Sequence, residues 1–184
     1  MRKIIVWEFL SLDGVMESPD QWVNPYYSED VAECIKQQNL ASEVILLGRV
    51  TYEAFITFWP LQTHNEFGFS DKLNAMPKFV VSSTLQKAEW NNTTIIKKNA
   101  VEEIAWLKQT PGGDIGVTGS AALVQAMLQA ELIDEFHLLV FPVVLGQGFH
   151  LFQEYQTLSL KLIETRAFKS GAVFLSYQTV KKNE

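Results

Sequence analysis

The sequence predicts an α/β fold: a mainly parallel sheet with helices on both faces and an antiparallel hairpin at its C-terminal edge. Three observations predict it. Apolar, β-branched runs alternate with helical patterns as far as Ala130. The chain then turns to a succession of strands, the last two joined at Lys169-Ser170-Gly171. Short turns rich in glycine and hydroxyl residues follow the early strands, at Ser11–Gly14, Gly48–Thr51, Ser82–Thr84 and Thr118–Ser120. In open sheets of this class ligands bind beyond the carboxyl ends of the strands, so these turns should share one rim.

Each element has its own signal. Lys3 to Leu10 is mainly apolar, partly β-branched and free of breakers, and reads as a buried strand. The segment from Val15 to Pro25 contains Pro19, Asp20, Asn24 and Pro25 and reads as a loop. It also carries Met16, Trp22 and Val23, with Tyr26 and Tyr27 next, so it either covers the core edge or closes over a substrate. Ser28 is a helix N-cap with Glu29 and Asp30 in the first turn, opening a helix to Ala41 with Val31, Ile35 and Leu40 inward. Strand 44–47 leads into a helix from Thr51 to Phe58, stopped by Pro60. A helical turn spans 69–74, and strands follow at 78–82 and 93–96. Residues 101–108 form a helix, ended by Pro111-Gly112-Gly113. Strand 114–117, helix 121–130 and strand 133–140 come next, then a loop from Pro142 to Gly148 and strands 158–168 and 172–180.

Composition narrows the function. The chain has 184 residues and reads as one domain, 47% hydrophobic and 20% charged, as in a soluble globular protein. Its net charge of −6 opposes nucleic acid and anionic membrane surfaces, so neither is an expected partner. The expected partner is a small-molecule substrate. The lone Cys34 excludes an internal disulfide framework and a Cys-rich metal site, and no metal site is expected. No run approaches the length of a membrane span, and the expected location is cytoplasmic.

One stretch concentrates the functional signal: Leu46-Leu47-Gly48-Arg49-Val50-Thr51-Tyr52-Glu53. A buried strand turns through Gly48 into a helix, whose free N–H groups and positive dipole end face the rim. Such a corner holds an anion, and Arg49 adds a planar fork suited to phosphate. An ordinary strand–helix junction with a solvated arginine would look the same. Several such turns on one rim point to an extended phosphate-bearing ligand such as a dinucleotide.

Taken together, the motifs resemble the dihydrofolate reductase-like superfamily. The nearest likeness is to the C-terminal reductase domain of the bifunctional riboflavin-biosynthesis deaminase/reductase and its small single-domain relatives. The residues that carry it are Ser11-Leu12-Asp13-Gly14, Leu47 to Glu53, Val80 to Leu85, Val117 to Ala121, Leu132 to Glu135 and Pro142 to Gly148, in family order over nearly the whole chain. The resemblance implies a three-layer dihydrofolate reductase-like fold and an NADPH-dependent reductase acting on a small pterin- or pyrimidine-like heterocycle. Under it, Gly48, Arg49 and Thr51 hold cofactor phosphates, with Arg49 on the 2′-phosphate. Ser82 and Ser83 border the adenosine half, and Thr118, Gly119, Ser120 and Ala121 cradle the pyrophosphate. Relatives carry a glycine pair, often cis-linked, where this chain has Gly119-Ser120, and dihydrofolate reductases often carry a basic residue at the position of Ala122.

The resemblance makes Asp13 the candidate catalytic acid; a turn carboxylate bonding its own backbone is the alternative. Asp30 and Glu33 lie on the helix where dihydrofolate reductases place their single acid, in a different register, and are substrate-binding candidates with Trp22. Val15 and Met16 stand where many riboflavin-pathway reductases have a basic residue, which predicts a flat, weakly charged substrate. No deaminase motif occurs, so a reductase without deaminase is expected. Relatives often form homodimers, and 138–144 is the segment expected to take part. The competing expectation is a nucleotide-binding module that keeps the fold and performs no chemistry.

Overall fold

The computed structural model describes residues 1–152 and 157–180. One eight-stranded sheet takes strands from both ends of the chain, in the order β4-β3-β2-β5-β1-β6-β8-β7. The strands are β1 (Ile4–Ser11), β2 (Val44–Gly48), β3 (Lys78–Val81), β4 (Thr93–Ile96), β5 (Ile115–Val117), β6 (Glu135–Phe141), β7 (Leu160–Ala167) and β8 (Val173–Thr179). The first six run parallel, and β8 turns antiparallel against β6 and β7. The helices are α1 (Glu29–Ala41), α2 (Arg49–Ile56), α3 (Ser70–Ala75), α4 (Ala100–Gln109) and α5 (Ala121–Gln129).

The sheet is apolar on both faces because helices cover both. Alternate residues of β1 divide between two clusters. Val6 and Leu10 join Leu46, Val117, Leu123, Met127 and Leu138 beneath α4 and α5. Trp7 joins Val31, Ile35, Leu47, Tyr52, Leu73 and Phe141 beneath α1, α2 and α3. Such two-sided burial explains why the central strands read as continuous apolar runs. Glu8, buried in mid-strand, is the exception.

Two expectations are corrected. Leu40 is 39% exposed, and the buried face of α1 is Val31, Cys34 and Ile35. Leu40 lies five residues beyond Ile35, about 140° around the helix. The helix after β2 opens two residues early, at Arg49, and ends at Ile56, so Phe58 lies beyond it and is 45% exposed. In segment 138–144, β6 is paired by β1 and β8 with Leu138, Leu139 and Phe141 buried, whereas Val144 beyond it is 66% exposed. The antiparallel hairpin forms as expected, between β7 and β8.

Candidate functional site

Parallel strands bring the four turns to one rim, since β1, β2, β3 and β5 all end there. The closest meeting is between the turns after β2 and β5, which are neighbours in the sheet. From these adjacent strands the chain departs to opposite faces, into α2 on one and α5 on the other. The gap is a topological switch point, where ligands of open α/β sheets bind.

The corner is tightly built. The Gly48 N–H donates to the Gly119 carbonyl at 2.9 Å. A Cβ on Gly48 would stand 2.2 Å from Ser120 Oγ and 2.7 Å from its backbone nitrogen. One on Gly119, whose φ is +53°, would stand 2.3 Å from Thr51 Oγ1. Glycine is required at both positions by close approach, and at Gly119 by conformation as well. The Gly119–Ser120 peptide is cis. Gly48 and Ser120 are the N-caps of α2 and α5, so the opening N–H groups of both helices flank the switch point. The Gly119 N–H is taken by Glu8 Oε1 at 2.6 Å.

A cavity of about 580 Å³ opens from this corner, lined by Gly48, Arg49, Ser82, Ser83 and Ser120 among the expected residues. Thr51 stands behind Gly119, and Thr118 donates to the Trp7 carbonyl at 3.4 Å. Ala121 opens α5 next to the lining residue Ala122. Arg49 is exposed and paired with Glu53 on its own helix, at 2.7 Å and 3.0 Å. Such a surface pair is weak, and a phosphate can displace it. Ser82 Oγ accepts from the Thr84 and Leu85 amides, shaping the turn after β3.

Two cavity cations lay outside the expected set. Lys97 and Lys98 follow β4 at the same rim, and no ion pair is formed by either among the described residues. The same rim rule applied after strand 93–96 would have found them. They share the cavity with Ala122, where the basic residue of dihydrofolate reductases is lacking. Val81, Ile96, Ile104, Leu123 and Ala126 give the cavity an apolar wall. Cations, hydroxyls and an apolar wall form a donor set that fits a phosphorylated adenosine.

Asp13, the candidate acid, is engaged by three donors. Its carboxylate accepts from Ser11 Oγ at 2.6 Å, Leu145 N at 3.2 Å and Gly146 N at 2.8 Å. The Ser11 hydroxyl first, then these amides, hold it well below the usual carboxylate range, at about 2. These bonds favour the ionised carboxylate in this arrangement. Asp13 is therefore built to clamp the β1 turn to the 142–148 loop.

Of the three substrate candidates, one lines a cavity. Trp22 borders a space of about 420 Å³ with Glu17, Ser18, Gln21, Leu145 and Gln147. Its ring packs edge-on against Phe141, and its Nε1 donates to the Glu17 carbonyl at 2.9 Å. Asp30 instead ties α1 to the β7–β8 turn, accepting from Ser28 Oγ at 2.5 Å and Lys169 N at 3.2 Å. Glu33 points outward and pairs with Lys36 at 3.0 Å. Both carboxyls are held below their ordinary range, Asp30 chiefly by Ser28 and Glu33 chiefly by Lys36. Neither lines the two cavities described. Spacing from Val31 and Ile35 places Glu33 on the far side of the helix.

Residues 2–174 match the family model of the RibD C-terminal domain. Two Bacillus subtilis (strain 168) proteins are similar over almost their whole length. The uncharacterized protein YyaP is 31% identical over 189 residues, covering 96% of this chain and 94% of the relative. The uncharacterized protein YwjB is 32% identical over 181 residues, covering 96% and 97%. Among solved structures, one from Shewanella sp. PV-4 named for riboflavin biosynthesis matches with a TM-score of 0.75 at 21% identity, covering 97% of this chain and 99% of the other. A pyrimidine reductase-like protein of Corynebacterium diphtheriae matches with a TM-score of 0.70 at 13% identity, covering 98% and 93%. At those identities the structural likeness is one of fold.

Proposed function

Because the chain belongs to the RibD C-terminal domain family, with the dihydrofolate reductase-like fold of its structural neighbours, we propose that it is an NADPH-dependent reductase of a small heterocyclic substrate. The observation that carries this reading is the corner where the Gly48 and Gly119 turns meet, with two helix N-termini opening into a cavity that holds three cations. Amides at the starts of α2 and α5 bind the pyrophosphate. Arg49, released from Glu53, takes the 2′-phosphate with Lys97 and Lys98. Ser82 and Ser83 border the adenosine. The nicotinamide supplies a hydride, and the protein's part is to orient it against the substrate and exclude water.

The substrate side is argued from Trp22. The cavity it borders contains Glu17, Gln21 and Gln147 and, among the described residues, no basic side chain. That lining favours a flat heterocycle without phosphate, pterin-like or pyrimidine-like. Asp13 acts by holding the β1 turn and the 142–148 loop together. A homodimer in the cytoplasm completes the proposal, and gel filtration tests the dimer.

Fluorescence titration with NADPH and NADH tests the cofactor, with NADPH expected to bind more tightly. A panel of pterins and pyrimidines then tests hydride transfer. Absence of NADPH binding would overturn the reading. One observation favours a second reading: the expected acid is already ionised. A nucleotide-binding module without chemistry would bind NADPH, oxidise it with no member of the panel, and bind it equally well as Asp13→Asn.

A further inference from the structure

Glu8 is a carboxyl in the wrong place for a structural residue. It stands in the middle of the central strand, 6% exposed, in a position whose neighbours are apolar. Val6 and Leu10 flank it on the same face of β1, and its partner on β6 is Leu138. The β1–β5 register sets Val6 against Val117, so two residues on Glu8 comes abreast of Gly119. There its Oε1 accepts the Gly119 N–H at 2.6 Å. The next peptide, Gly119–Ser120, carries the carbonyl that accepts from Gly48 and leads into Ser120, the cap of α5. A leucine at position 8 would fill the space but leave a buried amide unpaired.

Resting on the cofactor reading above, we propose that Glu8 is the positioning residue of the pyrophosphate turn, and that its carboxyl binds a proton as the anion binds. As an acceptor it fixes the plane of Gly119 and so the aim of the α5 amides. As a charge it matters in the opposite sense. An ionised carboxylate beneath the turn would oppose an anion above it, across an interior that screens poorly. The neutral acid keeps its carbonyl oxygen for Gly119 and removes that repulsion.

The surroundings favour the neutral form. Burial pushes the Glu8 carboxyl up to about 8, opposed only by the Gly119 hydrogen bond. No charged side chain of any packed element contributes among the described residues. Val117 on β5, Leu138 on β6 and Leu123 on α5 do not titrate. Of the site's cations, Lys97 and Lys98 follow β4, four strands along the sheet from β1, and Arg49 follows β2, two strands along, with its guanidinium paired to Glu53. An anion above the turn should raise the carboxyl further, so binding takes up a proton where free Glu8 is ionised.

The test is affinity against pH from 7 to 9.5, with NADPH and with ADP-ribose, which carries the pyrophosphate without nicotinamide. In the parent protein Kd should rise at least about fivefold across this range, and by no more than about tenfold per pH unit for one linked proton. Glu8→Gln keeps an acceptor for Gly119 and cannot ionise, so its Kd should stay within about twofold. Calorimetry of the parent at pH 8.5 in two buffers of different ionisation enthalpy needs no variant, and should show proton uptake on binding. Parallel pH curves for parent and Glu8→Gln, or no proton uptake, would overturn the role of Glu8 and leave the reductase reading standing. ADP-ribose binding that loses its pH dependence in Glu8→Gln, without NADPH binding, would keep Glu8 and remove the reductase. Failure of both ligands to bind removes both.

Discussion

The two sides of the rim differ in how much of each is made by side chains. Where β2 meets β5, the corner is backbone: a Gly48–Gly119 hydrogen bond, two helix starts and no room for a Cβ. Where the β1 turn and the 15–27 loop meet the 142–150 loop, a short backbone bridge (Met16 N–H to the Phe149 carbonyl at 2.8 Å) is joined by side chains. Asp13 accepts from Leu145 and Gly146, Glu17 from Phe149, and Trp22 leans on Phe141. A backbone corner recognises what many ligands share, a phosphate, and is fixed by topology. A wall of side chains can change its ligand without changing the fold. The difference assigns the constant half of the proposed reaction to the first region and the variable half to the second.

The sharpest way to probe the backbone corner is from beneath, at Glu8. Its proton is held in the native state up to about pH 8, whereas an exposed glutamate releases it near 4.5. The stability linked to that proton is therefore fully present below pH 4.5 and lost as pH rises to about 8. Glu8→Gln removes the linkage. Between pH 5 and 8 the parent should lose up to about 3 kcal/mol of unfolding free energy relative to the variant, an upper figure for a fully desolvated carboxyl. Urea denaturation at the two pH values measures it. Equal slopes for the two proteins would mean that water reaches the carboxyl.

Gly48→Ala attacks the same corner from above. The new methyl meets the Ser120 nitrogen at 2.7 Å, backbone that cannot swing away. The variant should lose about 2–3 kcal/mol of stability, and α5 should shift away from β2. A loss below about 0.5 kcal/mol would show that the turn is loosely held. On the opposite side, Asp13→Asn should lower stability by less than Gly48→Ala does, since the amide oxygen still accepts one of the bonds. It weakens the acceptor for two amides, so hydrogen exchange at Leu145 and Gly146 should quicken by about fivefold, with the corner amides unaffected. A spread of that effect to Gly48 would erase the distinction between the regions.

The two regions also differ in how far their sequence can be read. Sheet and helices follow from long periodic runs, and the co-location of the four turns follows from the rule that parallel strands end together. Local pattern stops at contacts across the chain. The partner of Glu8 is 111 residues away, and nothing within Ile4-Ile5-Val6-Trp7-Glu8-Phe9-Leu10 signals it. Asp13 reads as a turn carboxylate because Ser11 is near, whereas Leu145 and Gly146 are 132 and 133 residues on. The misplaced expectations for Leu40 and Glu33 had a local remedy. Val31, Cys34 and Ile35 define the buried face of α1, and both residues fall off it. Lys97 and Lys98 were legible by the rim rule, but a lysine pair after an edge strand also reads as a solvated end.

The smallest effect discriminates best between a phosphate corner and an ordinary junction. Arg49 is exposed and bonded to Glu53 across one helical turn, a pair that contributes little to stability. Arg49→Ala should shift the unfolding free energy by less than about 0.5 kcal/mol. If the guanidinium leaves Glu53 for a 2′-phosphate, the variant should bind NADPH about tenfold more weakly and NADH almost unchanged. Lys97→Ala should repeat this at reduced size, since an ammonium makes no fork. Equal losses for the two cofactors would move Arg49 from the 2′-phosphate to the pyrophosphate that both share. No loss for either would return the residue to solvent and leave the corner to its backbone amides alone.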